Sequence, residues 1–281
     1  MENRTVLKEL HTLEPYSAFI DDLNADPIFS DPMLSTPEEI AVNLHNALND
    51  PCDHVLGAFR GDEMTGLFVF LILEEERYME MLVGLSRELD AYEALADWLA
   101  ARYPGYQVDF VFNPKNPVIR KMLLSRGAVL DAEQIKMHLT GDVPPVDAAG
   151  IEPLSERFED QYIAMHDTDR YWTGDKVVKA LDTFNVFLAV DNGTVVGYID
   201  VTKNNEENEP FDLLVKEDCR RRGWGRKLLA KAIEANRPKR MMLYVDADDA
   251  PAIALYRSLG FSYVPETVNQ LATWITPREQ N

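Results

Sequence analysis

The feature that most constrains this chain is an apolar run, Phe211-Asp212-Leu213-Leu214-Val215, followed by Arg220-Arg221-Arg222-Gly223-Trp224-Gly225 and then by apolar residues at helical spacing, Trp224, Leu228, Leu229, Ala232 and Ile233. The run reads as a buried strand between the polar segment 204–210 and a charged turn, and Arg237-Pro238 ends the helix. A strand joined to a helix by a glycine turn leaves the first helical N–H groups unpaired, with the positive end of the helix dipole behind them. Gly223 and Gly225 carry no Cβ, so an anion can approach the backbone, and the flanking arginines can add charge-assisted hydrogen bonds. A pyrophosphate fits that description.

Charge supports the same placement. The chain as a whole is acidic, with a formal net charge of −20, which argues against a surface devoted to nucleic acid. Between Lys216 and Arg240, however, ten Lys/Arg face three acids, a local balance of +7. The turn lacks the Gly-Lys-Ser/Thr ending of a triphosphate loop and the third glycine of a dinucleotide fold, so neither of those is expected.

Val215 followed five residues later by Arg220-Arg221-Arg222-Gly223-Trp224-Gly225 resembles the Arg/Gln-x-x-Gly-x-Gly/Ala signature of the GNAT superfamily of N-acetyltransferases. A second family signature, Asn-x-x-Ala-x-x-x-Tyr-x-x-x-Gly-Phe, is matched from Asp249 through Ala252 and Tyr256 to Gly260-Phe261, with Asp249 where Asn is usual. The resemblance implies an α/β (α+β) fold with a mixed, mostly antiparallel twisted sheet flanked by helices. It also implies acetyl-CoA as co-substrate, no metal, and transfer of an acetyl group to a primary amine.

The N-terminal half reads as a degenerate copy. An ungapped shift of 133 positions sets Leu82 on Val215, Arg87 on Arg220, Asn116 on Asp249 and Gly127 on Gly260. Asp90 and Tyr92 then stand where Gly223 and Gly225 stand, so CoA binding in the usual manner is not expected of residues 1–140. Residues 141–150, rich in Pro and Gly, read as a linker, and residues 151–281 as the acetyltransferase domain.

By resemblance, the cofactor residues are Leu213, Leu214 and Val215, the turn Arg220, Arg221, Arg222, Gly223, Trp224, Gly225 and Arg226, and then Asp249 and Tyr256. The thioester carbonyl is expected against backbone N–H groups near Leu214 and Val215, where two strands splay apart. Tyr256 is expected to protonate the departing thiolate. A base for the amine is sought among carboxylates, with Asp212 preferred over Glu209 and Asp246. The acceptor lining is expected around Phe158–Tyr162 and Arg170-Tyr171-Trp172, with Tyr171 and Trp172 as substrate contacts suited to a cationic amine.

None of His11, His45, His54, His138 and His166 has metal or triad spacing, so each reads as an ordinary histidine. Two cysteines without paired spacing suit a reducing compartment, and no apolar run is long enough to span a bilayer, so a cytoplasmic location is expected. The expected partner is a small-molecule amine, with no nucleic acid and no membrane, and a homodimer is allowed. The competing reading is a catalytically silent acyl-CoA-binding regulatory protein.

Overall fold

The computed structural model describes residues 4–166, 168 and 171–278; Arg170, expected in the acceptor lining, lies outside them. The chain forms two compact units, Met1–Gln134 with Glu266–Asn281, and Ile135–Pro265. Among the described residues no helix is long and apolar enough to cross a membrane.

In chain order the first unit contains β1 (Val6–Glu9), α1 (Ser17–Asn24), α2 (Pro37–Ile40), β2 (Asp53–Arg60), β3 (Glu63–Leu73), β4 (Tyr78–Leu85), α3 (Leu89–Arg102), β5 (Gln107–Phe112), α4 (Pro117–Ser125) and the start of β6 (Val129–Leu139). Strands β1 to β4 pair antiparallel in sequence order, and β4 pairs β5 in parallel. The apolar residues of β3 are buried on both faces because both faces are covered. Phe68 and Phe70 pack with Ala91, Leu95 and Leu99 of α3 and Met122 of α4, whereas Leu67 and Val69 pack with Leu23, Leu34 and Leu44. That division follows the two-residue period of a strand.

The second unit contains β7 (Ile151–Pro153), α5 (Glu159–Ile163), α6 (Gly174–Lys179), β8 (Phe184–Asp191), β9 (Thr194–Thr202), β10 (Glu207–Asn208), β11 (Pro210–Val215), α7 (Trp224–Asn236), β12 (Arg240–Asp246), α8 (Ala250–Arg257) and the start of β13 (Phe261–Ile275). Four strands form an antiparallel sheet in the order β11-β9-β8-β7. One face, with Phe187, Ile199 and Val201, buries Leu228, Leu229, Ala232 and Ile233 of α7; the other, with Val186, Leu188 and Tyr198, buries Phe158, Tyr162 and Val177 around α5 and α6.

The repeat read from the sequence is visible in the elements: shifted by 133, β5 and α4 start at the first residues of β12 and α8. The division of the chain differs from the one drawn at residues 140 and 150. Residues 135–150 fold with the second unit, where the N–H groups of Thr140 and Gly141 donate to the carbonyl of Gly260. Residues 266–281 fold with the first unit, because the far end of β13 pairs antiparallel with β5, from Gln270 opposite Phe112 to Ile275 opposite Gln107. Strand β6 carries no Pro or Gly at its change of unit, and in β13 the proline at the boundary, Pro265, does not end the strand.

Candidate functional site

Strand β11 is the edge of its sheet, and β12 pairs elsewhere, in parallel with β10. The Lys216 N–H donates to the Val196 carbonyl across to β9. Alternation along an antiparallel ladder therefore turns Leu214 toward β9 and leaves Leu213 and Val215 directing their N–H groups to the open edge. Of the two N–H groups expected to serve a carbonyl, only that of Val215 is so placed; Leu213 takes the part expected of Leu214.

Eight residues, 216–223, connect β11 to α7. Arg220 Nε donates to the Val215 carbonyl at 3.0 Å and Arg222 to the Asp218 carbonyl at 3.0 Å, which shapes the loop around its own arginines. Arg221 is held at φ 63° and Gly223, the residue capping α7, at φ 89°. Alternating left-handed residues of this kind gather backbone N–H groups into an anion-holding concavity. A Cβ on Gly223 would meet no heavy atom within 4 Å, so the space over the helix start is open. Gly225 is inside the helix, where a Cβ would touch only Leu255 and Val215. Trp224 turns inward instead, close enough to Gly150 that a Cβ there would lie 2.9 Å from the indole. Its side chain packs the core, leaving its N–H for a ligand. Arg226 is partly engaged by the Ser258 hydroxyl.

Tyr256, on α8, is buried with its ring 5.9 Å from that of Phe261. Burial and the charges of Asp249, Asp212 and Glu209 push its phenol up to about 12, so it keeps its proton. The same interactions bring Tyr256, Asp212 and Glu209 into one electrostatic neighbourhood. Asp249 serves as the N-cap of α8, accepting from the Ala252 N–H at 2.9 Å. An Asp does this as well as the usual Asn. Asp212 accepts the Tyr198 hydroxyl at 2.5 Å. Glu209, just before β11, accepts the Tyr244 backbone N–H from β12; burial raises its carboxyl to about 7 against the opposing pull of that bond and of Lys136. Asp246 is exposed at the end of β12.

The expected acceptor contacts separate. Tyr171 already holds a cation, Lys176 Nζ lying 3.7 Å from its ring centre. Trp172 packs on Phe184 at 4.9 Å, and Phe211, which the sequence reading did not select, is exposed beside the same Phe184 ring. Its exposure follows from the irregularity in β11 between Pro210 and Asp212. His166, expected as an ordinary surface or core histidine, is a core one beside a carboxylate. Its imidazole stacks on Tyr198 at 4.3 Å and its Nε2 lies 3.3 Å from Asp200 Oδ2, with both side chains at 3% exposure or less. Asp200 also accepts the Tyr162 hydroxyl at 2.8 Å. Burial and the neighbouring Asp212 hold the Asp200 carboxyl well above its usual range, and burial lowers His166. The positions 166, 200 and 212 share no local spacing; β9 and β11 pair Asp200 opposite Asp212, and only the fold adds His166.

Residues 151–261 match the model of the acetyltransferase (GNAT) family. These residues form a GNAT domain. Among solved structures, the chain is similar to a GCN5-related N-acetyltransferase from Sphaerobacter thermophilus, with 14% identity and a TM-score of 0.63, over 100% of this chain and 98% of the other. A tandem GNAT protein from the clavulanic acid biosynthesis pathway is matched at 13% identity and TM-score 0.55, over 98% and 100% of the two chains. A GCN5-related N-acetyltransferase from Kribbella flavida is matched at 17% identity and TM-score 0.53, over 85% and 94%. No curated protein matches the chain. Likeness over the whole length extends the GNAT fold to both units.

The first unit closes the corresponding edge with its own side chains. Gly84 pairs with Phe68 as Leu213 pairs with Ile199, and its N–H donates to Asp31 Oδ2 at 2.7 Å. Tyr92 is fully buried and donates to the Gly84 carbonyl at 3.1 Å. Strand β4 runs on to Leu85, leaving three residues, 86–88, before α3 where the second unit has eight. The ungapped shift therefore drifts here, and the turn has lost its length as well as its glycines. Arg87, set on Arg220 by that shift, pairs with Asp22 and Asp26.

Proposed function

We propose that the second unit transfers an acetyl group from acetyl-CoA to a primary amine of a small acceptor by direct attack in a ternary complex. The observation that carries this reading is the left-handed Gly223 cap, open above the first turn of α7, at the end of a loop that begins from the outward N–H groups of Leu213 and Val215. An eight-residue loop, a bare helix start and an unpaired strand edge suit a pyrophosphate followed by an extended arm and a carbonyl. When bound, acetyl-CoA supplies an acyl group activated as a thioester. Arg220, Arg221, Arg222 and Arg226 surround the helix start with positive charge, and the Leu213 and Val215 N–H groups offer donors to a carbonyl oxygen.

Tyr256 holds a proton for the departing sulfur, its phenol remaining neutral far above neutral pH. Glu209 and Asp212 are the carboxylates offered to the amine. Glu209 is favoured, because a base near 7 combines ionisation with proton affinity, whereas Asp212 has one oxygen committed to Tyr198. Trp172 and Phe211 supply aromatic surface on the acceptor side, suited to a cationic amine. In the first unit Asp31 and Tyr92 occupy the edge that a cofactor would need, so that unit is assigned no CoA.

The alternative, a silent acyl-CoA-binding protein, shares the cofactor half of this reading. Calorimetric titration with acetyl-CoA, followed by an amine panel read as release of free thiol, separates the two. Saturable binding with thiol release supports transfer; binding without release from any amine supports the silent protein. Absence of binding overturns both.

A further inference from the structure

Within the second unit, three side chains converge on the face of the β11-β9-β8-β7 sheet that packs against α5 and α6. One ring nitrogen of His166 and one carboxylate oxygen each from Asp200 and Asp212 lie within 4.8 Å of one another. We propose that these three residues bind one divalent first-row transition-metal ion, of the Zn2+, Co2+ or Mn2+ kind. The proposal shares Asp212 with the acyl-transfer reading but does not rest on it, since its test reads metal binding and not transfer.

Two observations beyond the clustering point to a ligand. His166 Nε2 and Asp200 Oδ2 are buried and, among the described residues, have no hydrogen-bond partner, although they face each other at 3.3 Å. Such groups are costly to bury without a partner, and a metal ion satisfies nitrogen and oxygen together. The surrounding groups also hold the ligands as metal ligands are held. The backbone carbonyl of Trp172 lies against the His166 ring as an acceptor, and Nε2 has no hydrogen-bond partner among the described residues. Tyr162 donates to Asp200 Oδ1 at 2.8 Å, and Tyr198 to Asp212 Oδ2 at 2.5 Å, so each carboxylate is oriented through one oxygen and keeps the other. Outer hydrogen bonds from an imidazole N–H to a carbonyl and from hydroxyls to carboxylates fix ligand orientation in metal sites.

The chemistry selects the ion. One imidazole and two carboxylates, without thiolate, suit borderline and harder divalent ions better than copper(I). Metal–ligand bonds of about 2.0–2.2 Å place donor atoms roughly 3–3.5 Å apart, so movements on the order of an ångström close the cluster. Three protein ligands also leave a further position for water or another oxygen or nitrogen donor. Binding would fasten the turn after α5 to β9 and β11.

The test uses the full chain, stripped with chelator and titrated with Co2+. One ion bound per chain, with ligand-field absorption in the visible, displacement by Zn2+ and a raised melting temperature, is the expected result. His166→Ala and Asp200→Asn should each lose the bands, while Asp62→Asn, on an exposed turn of the first unit, should keep them. Circular dichroism checks that each variant folds; if Asp200→Asn does not, His166→Gln, which keeps similar volume, decides the matter. The proposal is overturned if the intact chain binds neither Co2+ nor Zn2+ stoichiometrically, or if the bands persist in His166→Ala or His166→Gln.

Discussion

Replacing Gly223 with alanine separates the two demands that the turn places on this residue. At φ 89° an L-residue is strained, and the left-handed conformation costs about 1–2 kcal/mol relative to glycine. No clash adds to that, because the new Cβ meets no heavy atom within 4 Å. The folded second unit should therefore lose about 1–2 kcal/mol, seen as a drop of several degrees in melting temperature. Binding should suffer more. The methyl group enters the space over the helix start, and loss of one charge-assisted hydrogen bond, about 1.5–3 kcal/mol, weakens acetyl-CoA roughly ten- to hundredfold. Gly225→Ala supplies the contrast: its Cβ would touch Leu255 at an ordinary 3.4 Å within the helix, and alanine adds up to about 1 kcal/mol of helix propensity. Urea unfolding and calorimetry on both variants measure the pair of effects. Wild-type affinity in Gly223→Ala would refute the placement of the pyrophosphate, and unchanged stability would refute the left-handed cap.

Tyr256→Phe should lower turnover by at least tenfold while acetyl-CoA affinity, read by calorimetry, stays within about twofold; equal losses in both would make the phenol a binding group. Transfer should rise with pH through about 7 as Glu209 ionises, facing the Tyr244 N–H, Lys136 and Tyr256, and the inflection should vanish in Glu209→Gln; an unchanged profile returns the base to Asp212. In the first unit, burial raises Asp31 to about 7 despite bonds from the Gly84 and Met33 N–H groups, with Glu39 repelling it. A carboxyl raised in the folded state loses stability as pH climbs from its unfolded value near 4 to about 7, on the order of 4 kcal/mol in full. The melting-temperature advantage of the wild type over Asp31→Asn should accordingly shrink between pH 5 and pH 8, and a constant difference would remove Asp31 from the titration.

The second unit was legible where function depends on short stretches of chain. Val215, Gly223 and the first turn of α7 lie within a few residues of one another, and the conformations they need are local, so glycine positions and apolar spacing report them directly. Asp249, expected among the cofactor residues, caps the start of α8 and accepts the Ala252 N–H with its carboxylate. Trp224 was less legible, since which face of a helix a ring takes depends on Gly150, far away in sequence. Leu213 and Leu214 exchanged parts because hydrogen-bond parity along β11 is set by its partner strand.

The sequence by itself determined the glycine turn, the order of strands and helices around it, and the repeat, since each depends on local conformational preference and periodicity. Tertiary structure alone decided the rest. It moved residues 266–281 into the first unit through pairing with β5, shortened the first unit's turn to three residues and filled its strand edge with Asp31, and gathered His166, Asp200 and Asp212 on one face of a sheet. Contacts of that kind are made by residues tens of positions apart, brought together by strand pairing and core packing, and no local pattern encodes them.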